Sequence, residues 1–239
     1  MVPVAAPPRP WPLPAQWLLV AVGYLALGKL GLLLAIPPGD ATALFPPAAL
    51  ARHQVLTRGP RVLPGIWLGS FAMNLWVSWS LGPRPTLFVL SALLAAAAAA
   101  QAWVGAWLVH RRQPQALALR TGSHLLAALG LGGGLACLLG ATIGVGALRA
   151  FTGLPIEGMP YAWWTWYVGD VLGVILTVPA LQMGLASRGT LWWERRLTVG
   201  LPLALSAGIV VLLFLRISRG EVEAERRRLQ VRAEQVSNE

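Results

Sequence analysis

Apolar runs of about 20 residues recur along this chain, and a helix of that length covers the hydrocarbon core of a bilayer. Only helices and closed barrels satisfy their own backbone groups in lipid. Seven runs qualify: Gln16–Ile36, Ala41–Leu56, Val62–Ser80, Thr86–Val109, Ser123–Leu148, Tyr161–Ala186 and Leu197–Ile217. The second is short and holds Pro46, Pro47, Arg52 and His53, so it reads as a bent or re-entrant helix supported by protein or a water-filled cavity. The expected fold is all-α, a polytopic transmembrane helix bundle of seven membrane helices, with eight as the alternative. Composition agrees: 56% of the 239 residues are hydrophobic and 12% charged, with a mean hydropathy of +0.62, well above a soluble domain.

The linkers set the direction. With a cytoplasmic N-terminus, the loops on that side hold Arg58 and Arg61, then Arg111, Arg112 and Arg120, then Arg188, Arg195 and Arg196. The opposite loops hold Asp40, Arg84, Arg149 and Glu157. That asymmetry is what the positive-inside rule requires, and seven crossings then place the C-terminal stretch outside. Residues 1–15 read as a Pro-rich cytoplasmic leader with no signal-peptide pattern. Residues 218–239 read as a charged juxtamembrane helix leading into a further domain. The three arginines Arg226–Arg228 in that tail pull the other way, and an eighth crossing would reverse its side.

Lys and Arg number 19 against 9 Asp and Glu, which raises nucleic-acid binding. The arginines, however, sit in short clusters between apolar runs and form no continuous basic face, so no nucleic-acid partner is expected. The single cysteine, Cys137, excludes an intrachain disulfide and a cysteine-based zinc site. His53, His110 and His124 lie near predicted cytoplasmic helix ends and lack metal-ligand spacing. No P-loop, GxGxxG or nucleophile elbow is present. No enzyme activity, metal or cofactor is expected of these residues.

Asp170 stands alone in an apolar helix, and a carboxylate at a bilayer centre costs about 2.5–3.5 kcal/mol unless it faces a partner. It lies about nine residues, or 14 Å, from the outer end of its run. Lys29, Asn74 and Thr142 fall at similar depths on the first, third and fifth runs. These four residues are expected to form a polar layer in the outer half of the membrane, with Lys29 and Asp170 as a buried ion pair. Such a pair serves either sensing or helix register alone. Two small-residue stripes, Thr165–Gly169–Gly173–Thr177 and Gly132–Ala136–Gly140–Gly144, predict that the fifth and sixth helices pack on each other. Trp163, Trp164 and Trp166 read as an interfacial belt, or alternatively as a ligand-lining wall.

Three stretches together resemble the MASE1 family of bacterial integral membrane sensor domains: GKLGLLLAIPPGDATALFPPAALA (Gly28–Ala51), GPRVLPGIWLGSFAMNL (Gly59–Leu75) and WWTWYVGDVLGVILTVPAL (Trp163–Leu181). The resemblance covers residues 16–217, with Phe45 where that family more usually has Trp. Its motif residues here are Lys29, Pro37, Pro38, Gly39, Asp40, Pro46, Pro47, Pro64, Gly65, Asn74, Gly169, Asp170 and Gly173. Physical roles follow from residue type. Pro37–Gly39 would turn the chain sharply, and Pro46–Pro47 would break the second helix and free carbonyls toward the polar layer.

The resemblance implies a multi-pass sensory module of the bacterial inner (plasma) membrane that regulates a histidine kinase or a cyclic-di-GMP enzyme. That output is absent from this chain, so it would lie in cis beyond a CHASE-type domain or in a partner protein in trans. A homodimer in the lipid bilayer is the expected assembly. The competing readings are a small transporter or permease, since broken helices and buried charges also mark substrate paths, and a passive membrane anchor and dimerisation module.

Overall fold

The computed structural model describes residues 11–33, 42, 44–79, 84–112 and 130–184, with single helical positions between 197 and 216. Its regular elements are helices: α1 Leu13–Leu32, α2 Pro46–Arg58, α3 Leu63–Trp79, α4 Pro85–Arg112, α5 Ala136–Thr152 and α6 Met159–Gly184. A 3-10 turn, Pro60–Val62, leads into α3, a π-helical turn, Gly130–Leu135, leads into α5, and a second 3-10 turn, Ile156–Gly158, leads into α6. The leader up to residue 10, the Pro37–Asp40 turn and the tail 218–239 lie outside the described residues.

Local chemistry accounts for the helix limits. Pro12 precedes α1, and the Gln16 side-chain amide donates to the Trp11 carbonyl at 2.6 Å, tying the entry down. Lys29 sits in the last turn, where a cation complements the helix dipole. Gly59, at φ 78°, ends α2, and Gly153, at φ 72°, ends α5; both conformations favour glycine.

α2 corrects the expectation for the second run. Pro46 and Pro47 start the helix instead of breaking it, because a proline in the first turn removes only an N–H that has no intrahelical acceptor. At 13 residues α2 rises about 20 Å, less than a hydrocarbon core of about 30 Å. It is enclosed instead: Pro46, Pro47 and every residue from Ala49 to Val55 are buried. α1, α4 and α6 pack around it, so α2 is the axis of the bundle. Arg52, His53 and Gln54, three consecutive residues on different sides of this helix, are all buried. His53 therefore departs from the solvated position expected of it.

Around that axis α3 packs on α1 and α4, and α4 on α5. One core cluster joins Val20 and Tyr24 of α1, Leu50 and Val55 of α2, Ile66 and Met73 of α3, and Ala102 and Ala106 of α4. The α1–α3 crossing is close because Gly65 and Gly69 face it. A Cβ on Gly65 would stand 2.7 Å from the Trp17 carbonyl oxygen, and one on Gly69 would stand 2.8 Å from that of Ala21. Outward faces are apolar: Leu18, Val22 and Leu30 on α1 and Trp103 and Trp107 on α4 are exposed. Three helices among the described residues are long and apolar enough to cross a membrane, Leu13–Leu32, Pro85–Arg112 and Gly132–Thr152.

α5 and α6 do pack on each other, and the two small-residue stripes serve that contact only in part. In the π-helical turn Gly132 faces Val109 and Arg52, and on α5 Gly140 faces Gln101 of α4, while Gly144 does meet Trp166 of α6. On α6, Gly169 and Gly173 face the backbone of the segment that precedes α2.

Candidate functional site

Polar residues gather where α4, α5 and α6 meet beside α2. Asp170 of α6 is 3% exposed, Gln101 of α4 8% and Cys137 of α5 1%. The Gln101 Nε2 donates to Asp170 Oδ2 at 2.8 Å and approaches Cys137 Sγ at 3.5 Å. Space for this amide comes from Gly140, where any Cβ would overlap Gln101 Oε1. The second oxygen, Asp170 Oδ1, is buried and accepts no hydrogen bond among the described residues. A carboxylate has about four lone-pair directions, so one hydrogen bond leaves most of this group's acceptor capacity unmet among the described residues, in a place where unmet capacity is costly.

The neighbours of Asp170 along α6 face a different element. The Phe45 N–H donates to the Gly169 carbonyl at 3.0 Å. Side chains at Gly169 or Gly173 would collide with the carbonyl oxygens of Thr42 and Phe45 respectively. The short segment ahead of α2 is thus strapped to α6 by backbone contact. The Gly-Asp-x-x-Gly pattern reads as two glycines that admit the strap and an aspartate turned away from it toward Gln101.

Arg52, 2% exposed, lies deeper along α2. Its side chain passes Gly105 of α4, and its guanidinium rests against Gly132 and Gly133 of the π-helical turn. Such turns recur where a helix is adapted to a local demand; here the glycines admit a buried cation. Cys137 lies between Arg52 and Asp170 electrostatically, feeling both. On the α1–α3 side, the Tyr24 hydroxyl is a hydrogen-bonding neighbour of Ser70. Ser70 in turn accepts from Asn74 Nδ2 at its carbonyl, 2.8 Å, and at its hydroxyl, 3.3 Å.

The expected four-residue layer resolves into separate places. Lys29 is exposed, with its ammonium 3.5 Å from the Trp76 ring centroid, and the Lys29–Asp170 ion pair is not formed. The physical reason is azimuth: α2 packs on both α1 and α6, and an outward lysine with an aromatic face beneath it needs no carboxylate. Thr142 is exposed and accepts from Trp163 Nε1 at 3.1 Å. Asn74 belongs to the Ser70 cluster. Of the three tryptophans read as a belt, Trp164 is exposed, while Trp166 packs on Gly144 and Trp163 on Tyr167. Pro64 is exposed at the start of α3, Gly65 is buried in the α1 crossing, and Pro46 and Pro47 are buried at the start of α2. Pro37, Pro38, Gly39 and Asp40 lie outside the described residues.

Gln101 and Arg52 were the residues that reasoning by depth left out. Gln101 had a visible signal, since it is the one amide side chain in the run Thr86–Val109 and directly follows six alanines. Polar side chains in such runs find partners across helices. Among the described residues, no three His, Cys, Asp or Glu side chains group as metal ligands would.

The family model for MASE1 matches residues 15–220 of this chain. No curated protein and no solved structure matches it.

Proposed function

The chain belongs to the MASE1 family of integral membrane sensor domains, and on that basis we propose that it is the signal-input module of a bacterial inner-membrane receptor. A stimulus acts on the buried site around Asp170 and shifts the packing of α6 against α2 and α4. The shift passes through the seventh membrane segment to an output, a histidine kinase or a cyclic-di-GMP enzyme, in cis or in a partner. The module itself catalyses nothing and works as a homodimer. One observation supports this reading above the others: Asp170, buried with one oxygen bonded and one not, sits next to the residue that straps α2 to α6. A stimulus that binds two packings unequally at that place moves both elements together.

The test joins the chain at Glu239 to a diguanylate cyclase domain and measures cyclic-di-GMP in cells. Asp170→Asn is expected to move basal output severalfold at unchanged membrane abundance. Unchanged output would leave the chain a passive anchor.

Seven crossings with the N-terminus in the cytoplasm complete the proposal, the short α2 crossing inside the protein together with the strap residues ahead of it. Reporters fused after Gly122 and Gly189 are expected to read cytoplasmic, and one after Glu239 external. A cytoplasmic Glu239 would remove one crossing or add one, and would make the tail a direct link to a cytoplasmic output. The short, enclosed α2 with its buried Arg52 also suits a transporter, in which broken helices line the substrate path. Solute flux into vesicles holding the chain alone would establish that second reading.

A further inference from the structure

We propose that Asp170 is a proton-binding site, taking a proton from the aqueous phase at Oδ1 and returning it there, so that the proton is the ligand to which this bundle responds. The response rests on the sensory reading above; the binding itself does not.

The argument is geometric. The two carboxylate oxygens are treated differently by the fold. Oδ2 accepts the Gln101 amide at 2.8 Å, and Oδ1 faces no donor among the described residues. A charged carboxylate seeks donors on both oxygens, so the oxygen left without one is where the charged form is least stabilised and where a proton would add. The site is also closed. Oδ1 has under 1 Å² of accessible surface, so an amine or a hydrated metal ion enters only if helices separate. A proton fits the packing once bound, and it reaches and leaves Oδ1 with a water molecule during transient local opening.

The groups facing Asp170 leave it as the natural acceptor. From α1 comes Tyr24 and from α5 Cys137, both electrostatically coupled to it; a phenol and a thiol are ordinarily neutral at neutral pH. From α4 comes Gln101, which does not titrate. On α6 itself the titratable neighbour is Tyr167, one turn earlier. The strap residues Thr42, Leu44 and Phe45 do not titrate. On α2, Arg52 is a permanent cation directed at Gly132 and Gly133. His53, beside Arg58 and Arg52, is an imidazole, a side chain that ordinarily changes charge in this pH range, so an experiment must separate it from Asp170.

Protonation removes the negative charge and creates an O–H donor one residue from the Gly169 carbonyl that holds Phe45. The new donor requires an acceptor, and the Gln101 amide loses its charged one. Both changes act on the α4–α6 contact, and Cys137, 3.5 Å from Gln101 Nε2, lies within it.

The test uses the full chain in lipid nanodiscs with carboxyl-labelled aspartate. Infrared difference spectra between acidic and alkaline buffer are expected to show a carboxylic C=O band that is absent in Asp170→Asn, shifted in Gln101→Leu and retained in His53→Gln. If folded Asp170→Asn keeps every titrating carboxylic band, the proposal is overturned. A second measurement needs no variant, because Cys137 is the chain's single cysteine. Its maleimide labelling rate, divided at each pH by that of a free cysteine peptide, is expected to change about tenfold across the transition as the site opens. A constant ratio overturns the proposal even if Asp170→Asn fails to fold. A titrating Asp170 band with a pH-independent cyclase fusion would overturn the sensory reading and leave the proton site standing.

Discussion

Leucine at Gly173 is expected to prevent the bundle from assembling. A Cβ there would run into the Phe45 carbonyl oxygen and would lie 2.6 Å from its carbon and 3.1 Å from the Phe45 nitrogen. All three of these neighbours are backbone atoms, so no rotamer change relieves the overlap, and the strap must leave α6. Its departure breaks the Phe45 N–H to Gly169 hydrogen bond and displaces Pro46 and Pro47, the buried start of α2. Because α2 is packed against α1, α4 and α6, the damage reaches three interfaces. Overpacking costs about 1–3 kcal/mol where side chains can shift; with backbone on both sides the loss should be about 3 kcal/mol or more. The measurement is the yield of monodisperse protein in fluorescence-detected size exclusion, together with its resistance to protease. Gly146→Leu is the control, since nothing lies within 4 Å of a Cβ at Gly146, and it should match the wild type. Equal behaviour of the two variants would mean that the strap does not hold α2 in place.

This glycine also shows how far the sequence could be read. Hydropathy marked α1, α4 and α5 because an apolar run and a lipid-facing helix are nearly the same physical statement. Depth is an expectation from the sequence alone, since residue count multiplied by helical rise places Asp170 and Lys29 at comparable heights. Azimuth was not legible. A nearly all-apolar helix gives no polar face by which to orient it, so Lys29 was paired with Asp170 although α2 packs between their helices. The stripe Gly169–Gly173 correctly signalled close approach, but close approach to an extended segment has the same sequence signature as approach to a helix. Pro46 and Pro47 were read as a break because their neighbours were assumed helical on both sides. A proline pair is equally suited to a helix start, and Thr42, Leu44 and Phe45 are non-helical ahead of it.

α2 shows why the polar core was missed. A short helix buried all round can hold Arg52, His53 and Gln54 in sequence only when protein supplies their surroundings, and those surroundings come from residues distant along the chain. Arg52 rests on Gly105, Gly132 and Gly133, whose small size in a membrane helix has several ordinary explanations. The cradle becomes visible only when the three helices are brought together.

Gln101 and Asp170 should prove strongly coupled in a double-mutant cycle, the second of the large effects. Gln101→Leu removes the one side chain bonded to Asp170 among the described residues and leaves neither carboxyl oxygen with a partner there. Stranding a buried polar group costs about 1–3 kcal/mol, and more where the group is charged. Asp170→Leu strands only a neutral amide, which can still lean on Cys137 Sγ, so its cost should be smaller, about 1–3 kcal/mol. The double variant removes both polar groups at once and should be more stable than the sum of the single losses implies, with a coupling of about 1.5–3 kcal/mol. Reversible unfolding in mixed micelles, or steric trapping in bilayers, supplies the four stabilities. Lys29→Met in place of Gln101→Leu should show no such coupling with Asp170→Leu, because the lysine stands over Trp76. Coupling in the lysine cycle and additivity in the glutamine cycle would put Asp170's partner on α1 and return the site to the outer polar layer; the opposite pattern ties the carboxylate to α4, where a change in its charge bears directly on the helix contact that signalling would use.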